Sequence, residues 1–369
     1  MTDTMKGYKT PAIILSSIIY IFAILALVLP KEEISESERR KLAEMPKFTA
    51  EAFLKGSFAK DFEEYSTDNF PLRDIFRSVK SVVNYKLFSK LDNNDIYIKD
   101  GSMMKLEKEL DEGSVKRALE KFEKLYNTYI KDKNCNLYVS VIPDKAYFPW
   151  KDGDNIPSLD YEKLFSMVKE GMPYANYIDV TDLLTLSDFY KTDSHWRQEK
   201  ILPVAEKIMS AMGNTGKAIY TETDSGINFR GVYSGQSALP NASESLIYLS
   251  NETLEGCKVT NHENGKTDVG IYDMEKLTSR DPYEVFLSGA CAAITVENPA
   301  NTSGKKLVIF RDSYGSSIAP LFAENYSEIT LLDIRYMNPE FVGNFADFTD
   351  ADVLFLYSST LLNSSGVLR

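Results

Sequence analysis

Histidine and cysteine are scarce in this chain of 369 residues. The only histidines are His195 and His262; the three cysteines, Cys135, Cys257 and Cys291, are far apart and never in a C-x-x-C spacing. That inventory is too small and too scattered for a Cys/His zinc centre or a disulfide-stapled scaffold. Basic runs are missing as well. Acidic residues outnumber basic ones by 54 to 42, and no Lys/Arg cluster is arranged to track a phosphate backbone, which argues against nucleic acid as the main partner. Internal repeats and low-complexity blocks are absent. Gly265-Lys266-Thr267 mimics the end of a phosphate-binding loop, but the required upstream glycine position holds Thr260 and no buried strand is expected to lead into it.

What is present is ordinary globular composition, 43% hydrophobic and 26% charged, behind one long apolar run. Residues 12–29 carry only Ser16, Ser17 and Tyr20 as polar side chains, enough helix to span a bilayer core of roughly 30 Å. Lys6 and Lys9 precede the run and Lys31-Glu32-Glu33 follows it. These flanks favour residues 1–11 inside the cell and residues 30–369 on the extracytoplasmic side. No small-x-small pattern closes the run, so an uncleaved signal anchor is preferred to a removed signal peptide or a buried globular helix.

After the anchor, residues 30–60 are charged and lightly amphipathic, a juxtamembrane stalk or helical arm broken at Pro46, and the main domain is expected over 61–369. Residues 62–90 carry apolar side chains near helical spacing and lead into a short strand and turn. Residues 112–131 predict a helix with Val115, Leu119, Phe122 and Leu125 on one face. Residues 136–143 alternate and are β-branched, a buried strand. Helix and strand then recur at 161–172 and 174–180, at 305–310 and 316–325, and at 327–334 and 351–358. Such alternation, with strands apolar nearly throughout, predicts an α/β domain on a mainly parallel sheet. Residues 214–279, rich in Gly, Asn, Ser and Thr, read as a β-rich insertion.

Two places can carry chemistry. Tyr190 to Trp196 precede a helix expected over 199–212, and in an extended turn Asp193 and His195, two apart, project to the same side. A carboxylate beside an imidazole fixes its tautomer and stabilises the imidazolium formed when it accepts a proton. Lys305 to Ser317 read as strand, tight turn, helix. Ser313 then stands at a strand's carboxyl end and a helix mouth, where an acyl-transfer nucleophile belongs and where its own N–H can face an oxyanion. Plain capping and packing roles are the alternatives for both places. Together they complete a Ser-His-Asp set, because a serine hydroxyl needs an adjacent base and His262 lies in a loop expected to be solvated.

The ordered landmarks Asp68 to Arg73, Ile142 to Lys145, Tyr190 to Trp196, Phe229-Arg230-Gly231, Ser288-Gly289, Arg311 to Tyr314 and Asp333 to Tyr336 resemble the bacterial DHHW proteins. Their relatives include the alginate O-acetyltransferases of the periplasm. The resemblance implies an SGNH-hydrolase-like sandwich, with Asp193 and His195 at the Asp and second His of the family motif and Ser313 as nucleophile. Ser194 departs from the pattern, standing where the motif has its first His. The implied function is a membrane-anchored O-acetyltransferase or esterase acting on a cell-surface polysaccharide, supplied with acyl groups by a multi-spanning membrane acyltransferase. Gly289, Arg311 and Tyr314 are candidates for oxyanion or substrate contact by their nearness in the expected fold. This chemistry requires no metal or soluble cofactor. The contrasting expectation is a catalytically silent glycan-binding or envelope-assembly module on the same fold.

Overall fold

The apolar run folds as one continuous helix. A computed structural model describes residues 4–35 and 37–369, so residues 1–3 of the expected cytoplasmic segment lie outside the described residues, as do the side chains of Lys6 and Lys9. Helix α1 (Thr4–Val28) has a mean hydropathy of 2.6 over Thr10–Val28, and none of that stretch is buried by protein. Its length and composition suit a membrane anchor or a signal sequence.

Two compact units follow from the chain's contacts: residues 1–90 with Gly235–Pro240, and Leu91–Ser234 with Asn241–Arg369. The arm expected at 30–60 and the residues up to 90 thus belong to the first unit. That unit holds helices α2 (Ala50–Leu54), α3 (Ser57–Asp68) and α4 (Arg73–Val82), the last continuing as a π turn over Val83–Leu87. Thr49 caps α2 by accepting from the Ala52 N–H at 3.1 Å. Asp68 organises the unit: its carboxylate accepts two bonds from Arg40, at 2.8 and 2.5 Å, and one from the Ala43 N–H at 2.9 Å. Gly235 has no freedom to be anything larger, since a Cβ there would lie 1.4 Å from the Ser37 carbonyl oxygen.

The second unit is built on an eight-stranded sheet. In chain order its strands are β1 (Asn136–Ile142), β2 (Asn176–Tyr177), β3 (Lys258–Asn261), β4 (Lys266–Val269), β5 (Ala293–Glu297), β6 (Lys306–Arg311), β7 (Glu328–Leu332) and β8 (Asp352–Ser358). The spatial order is β4-β3-β5-β7-β6-β8-β1-β2. The run β7-β6-β8-β1-β2 is parallel, and β5, β3 and β4 add antiparallel pairs at one edge, so the sheet is mainly parallel as expected. The expected insertion is only partly separate. Residues 258–269 enter the sheet as edge strands, while Thr221–Asp224 and Ile247–Ser250 form their own pair. A strand therefore does lead into Gly265-Lys266-Thr267, contrary to expectation. It turns straight into a hairpin with no helix after it, so the loop still lacks a phosphate-binding frame.

Two helices are shorter than their patterns suggest, and proline is the reason. The helix after Ser313 is α-helical only over Gly315–Ile318 and continues as a 3₁₀ stretch, Ala319–Asn325, because Pro320 has no N–H to give. Pro203 likewise starts the helix Leu202–Ala211, preceded by the separate 3₁₀ turn Gln198–Lys200.

The core is stitched across the sheet by aromatic rings. Helix α5 (Glu112–Leu125) places Phe122 5.0 Å from Phe355 of β8, and Phe355 stacks at 4.6 Å on its parallel neighbour Phe310 of β6. Truncating Phe355 removes the middle ring of this column and leaves a cavity in a region with no exposed atoms. Phe355→Ala should lower unfolding free energy by about 3–5 kcal/mol. Denaturant titration followed by near-ultraviolet circular dichroism measures it; a loss below about 1 kcal/mol would show that the column does not hold the sheet.

Candidate active site

The carboxyl ends of β1, β6 and β8 meet, and buried carboxylates fasten them. Asp312, the residue after β6, accepts from the Ser358 N–H at 2.8 Å and the Ser358 hydroxyl at 2.6 Å, both at the end of β8. Its other oxygen accepts from the Tyr314 N–H at 3.0 Å, closing an Asx turn around Ser313. Asp144, two residues after β1, accepts from Ser359 at 2.7 Å, from the Ala146 N–H at 2.7 Å and from Tyr161. Burial pushes the Asp144 carboxyl up, while the Ser359, Ala146 and Tyr161 donors pull it back down. Gly315 completes the turn, since a Cβ there would lie 2.7 Å from the Arg311 Cβ. Ser313 is left half-buried at the end of β6.

The loop from Phe189 to Trp196 closes on itself. Phe189 and Trp196 form an antiparallel bridge, and the Tyr190 N–H donates to the His195 carbonyl at 3.1 Å. Inside the loop the Asp193 carboxylate accepts from the His195 N–H at 3.0 Å and from His195 Nδ1 at 2.6 Å. With Nδ1 protonated, Nε2 is the acceptor, and it lies 2.7 Å from the Ser313 hydroxyl. Asp193 is wholly buried and His195 is 9% exposed. Three side chains singled out by sequence thus stand in one hydrogen-bonded line, across 118 residues of chain between His195 and Ser313.

Several further groups hold this line in place. The Tyr283 ring stacks on the imidazole at 3.9 Å with 10° between planes, and Tyr314 lies on a tilted contact at 5.1 Å. The Tyr283 hydroxyl and Trp196 Nε1 both donate to the Ser317 hydroxyl, at 2.7 and 2.8 Å, which pins the stack to the turn carrying Ser313. Lys145 is buried, and its ammonium donates to the carbonyls of Tyr190, Lys191 and Asp193 at 2.6, 3.0 and 3.1 Å. Burial pushes that ammonium down to about 7, against the pull of Asp193 and Glu244. Glu244 accepts from the Lys191 and Thr192 N–H groups at 2.9 and 3.0 Å. The second Asp193 oxygen accepts from the Val232 N–H at 2.8 Å. Gly231 packs so tightly that a Cβ would lie 2.2 Å from the Asp193 Cβ. Lys145 and Gly231 were already visible as landmarks and Ser317 closed the strand-turn-helix pattern; Tyr283 belongs to no pattern in the sequence.

The remaining candidates are placed differently from one another. Tyr314 is beside the imidazole, and its hydroxyl donates to the Ser194 carbonyl at 2.6 Å. Arg311 is wholly buried, with its guanidinium donating to Ser316 at 3.1 Å and to the Gly289 carbonyl at 3.2 Å. It braces the turn after β6 and is shut off from a substrate. The Gly289 N–H is spent on the Phe286 carbonyl at 3.1 Å, so that amide is not free to face an oxyanion. Gly289 ends a strained turn in which Leu287, Ser288 and Gly289 all have φ in the left-handed region, at 53°, 57° and 79°. Ser194 does not point away as strict alternation predicts. The Asx-type curl at Asp193 brings its hydroxyl to 3.4 Å from Asp193 and 3.5 Å from His195 Nδ1. His262 is exposed, bonded to Thr295 at 2.8 Å. Among the described residues no three His, Cys, Asp or Glu side chains gather as metal ligands.

No curated protein matches the chain by sequence. Among solved structures, a DHHW family protein from Eubacterium siraeum is 20% identical, aligns over 75% of this chain and 95% of its own, and has a TM-score of 0.57. PatB1 from Bacillus cereus is 16% identical over 72% of this chain and 96% of its own, with a TM-score of 0.58. The same protein solved with a sulfonyl adduct aligns over 72% and 94% at 18% identity and a TM-score of 0.57. These likenesses establish a shared fold, the SGNH-hydrolase-like α/β sandwich. Residues 184–332, the stretch that supplies Asp193, His195, Gly289, Arg311, Ser313 and Tyr314, match the model described as DHHW protein, so that this part of the chain is similar to the DHHW proteins.

Proposed function

We propose that the chain is a membrane-anchored, extracytoplasmic O-acyltransferase or esterase that acts on a cell-surface polysaccharide through an acyl-serine. The observation that carries this reading is the Asp193–His195–Ser313 line, with its 2.6 and 2.7 Å contacts and a half-buried serine at its end. The α1 helix supports the anchor, and the resemblance to the alginate O-acetyltransferases supplies acetyl, polysaccharide and a multi-spanning acyltransferase as donor.

Ser313 Oγ attacks the carbonyl carbon of the acyl donor while His195 Nε2 takes its proton, and Asp193 stabilises the imidazolium. The carbonyl π electrons move onto oxygen. The Ser313 N–H, which has no protein acceptor among the described residues, is a donor for that oxyanion. Collapse expels the donor's alkoxide, which takes the proton from Nε2 and leaves Ser313 acylated. A sugar hydroxyl, or water in the esterase reaction, then gives its proton to Nε2 and attacks the ester, and Ser313 leaves with that proton.

Ser313→Ala, His195→Ala and Asp193→Ala should each lower turnover of a chromogenic acetyl ester by about a thousandfold or more, with double replacements adding little. Phenylmethylsulfonyl fluoride should add its sulfonyl mass to a Ser313 peptide in the parent chain and not in Ser313→Ala. PatB1 has been solved with a sulfonyl adduct, which makes the reagent a fitting probe. Undiminished turnover in Ser313→Ala would sink the assignment, and absence of any turnover in the parent chain would favour the silent binding module.

Lys145 acts through the loop it holds. Lys145→Met keeps the bulk but removes the ammonium that the Tyr190, Lys191 and Asp193 carbonyls share, so turnover number should fall by about ten- to a hundredfold with KM little changed. A pH signature accompanies it. Between about 7 and the ordinary value of 10.5, the unfolded chain keeps a proton on this group that the folded chain has lost, so the parent gains stability as pH rises through that window. Melting temperatures recorded across the window should lose that slope in Lys145→Met. A variant with parental turnover and parental slope would remove Lys145 from the machinery.

A further inference from the structure

The first unit exposes far more apolar surface than an aqueous arm tolerates. Along α4 and the turn after it, Leu72, Ile75, Phe76, Val79, Leu87 and Phe88 are 52%, 59%, 46%, 55%, 72% and 65% exposed. Positions 72, 75, 76 and 79 recur at helical spacing and make one stripe. Upstream, the rings of Phe48, Phe58 and Phe62 form a chain of contacts at 5.2 and 6.0 Å, and Phe48, Phe53 and Leu54 are 66%, 61% and 85% exposed. An exposed set of this size marks an interaction surface.

Its position identifies what it meets. Phe22, inside the apolar stretch of α1, stacks on Phe70 at 5.3 Å and meets Phe76 edge-on at 5.7 Å. Phe22 lies six residues before Val28, which is about 9 Å of helix inside the end of the span. Interfacial helices bury their apolar face about 5–10 Å into the boundary between headgroups and acyl chains. The stripe is thus continuous with the helix at the depth such helices occupy. Charge agrees. Arg73 and Arg77 are held within the unit by Glu38 at 2.5 and 3.1 Å, while Lys80, Lys86 and Lys90 are exposed along the same segment, a basic amphipathic pattern suited to anionic lipid.

We propose that residues 48–88 form a monotopic lipid-binding surface, with the α4 stripe and the Phe48–Phe62 rings sunk in the outer half of the bilayer beside α1. The proposal rests on α1 being an uncleaved anchor. In place of a stalk through water, the first unit is then a platform in the membrane interface.

Single tryptophans report depth in the full-length chain reconstituted into vesicles of phosphatidylglycerol and phosphatidylcholine brominated along the acyl chains. Phe76→Trp and Leu87→Trp test the surface, Ile18→Trp tests the anchor, and Tyr336→Trp, in the second unit, is the aqueous reference. The native Trp150 and Trp196 give a common background that the parent chain measures. Bromolipid should quench the added fluorescence of Phe76→Trp, Leu87→Trp and Ile18→Trp by about half or more and leave that of Tyr336→Trp nearly unchanged. Quenching in Ile18→Trp without quenching in Phe76→Trp and Leu87→Trp overturns the proposal and keeps the anchor. Quenching in the latter two without Ile18→Trp removes the anchor and overturns the proposal with it, since the depth of the surface is read from α1. No quenching in pure lipid, with shielding of Phe76→Trp from iodide only in native membranes, gives the face to a protein partner and overturns the proposal.

Discussion

The Asp193 carboxylate has no exposure to water, so its lone pairs must be met by donors inside the protein, and most of the site follows from that requirement. Two donors come from His195, one from its backbone and one from its ring. A third comes from the Val232 N–H, which reaches the carboxylate only because Gly231 has no side chain to hold the two segments apart. The same contact that neutralises a buried charge therefore fixes the imidazole's tautomer and aims Nε2 at Ser313. Removing the carboxylate would loosen the loop and the orientation of the imidazole together, because the same oxygens hold both.

Ser313 arrives at the other end of that line through a different fastening. Asp312 and Asp144 tie the ends of β6 and β1 to Ser358 and Ser359 at the end of β8. Each of these bonds is from hydroxyl to carboxylate, the stronger class of hydrogen bond, and each lies where solvent cannot compete. The helix after Ser313 contributes less than its sequence pattern promises, since only Gly315–Ile318 is α-helical before Pro320 intervenes. The position of the serine is set by side chains locking strand ends together, and the short helix follows from it.

What the sequence made legible, and what it hid, divides along physical lines. Apolar strands and charged helix faces announced the sheet, because burial on two faces leaves a composition that periodicity detects. Asp193, His195 and Ser313 could be joined from sequence because a serine needs an adjacent base and this chain has only two histidines to supply one. Long-range packing left no such trace. Nothing near Tyr283 says that its ring will lie 3.9 Å from an imidazole 88 positions earlier in the chain, and nothing near Ser317 says that it will bind two aromatic donors. Arg311 and Gly289 were legible as neighbours of the site but not as its scaffold. A buried guanidinium bonded to a carbonyl on a left-handed turn is a property of the folded backbone, and no local pattern encodes it. The edge strands within residues 258–269 were hidden for a related reason: short, polar and antiparallel, they gain their identity from the neighbour they pair with.

Ser194 shows how the loop is held without its middle side chain. Its side chain sits between Asp193 and His195, yet at 3.4 and 3.5 Å its hydroxyl competes poorly with the 2.6 Å bond that joins those two residues directly. The part of Ser194 that the loop uses is its carbonyl, which accepts from the Tyr314 hydroxyl at 2.6 Å and so ties the loop carrying His195 to the residue after Ser313. A backbone carbonyl is supplied by any residue. The loop's curl is imposed from outside by Lys145 on three carbonyls, by Glu244 on two amides and by Asp193 on the His195 N–H, none of which depends on the identity of the middle side chain. A serine at the middle position therefore leaves the alignment of His195 intact, because the bonds that curl the loop fall on its backbone.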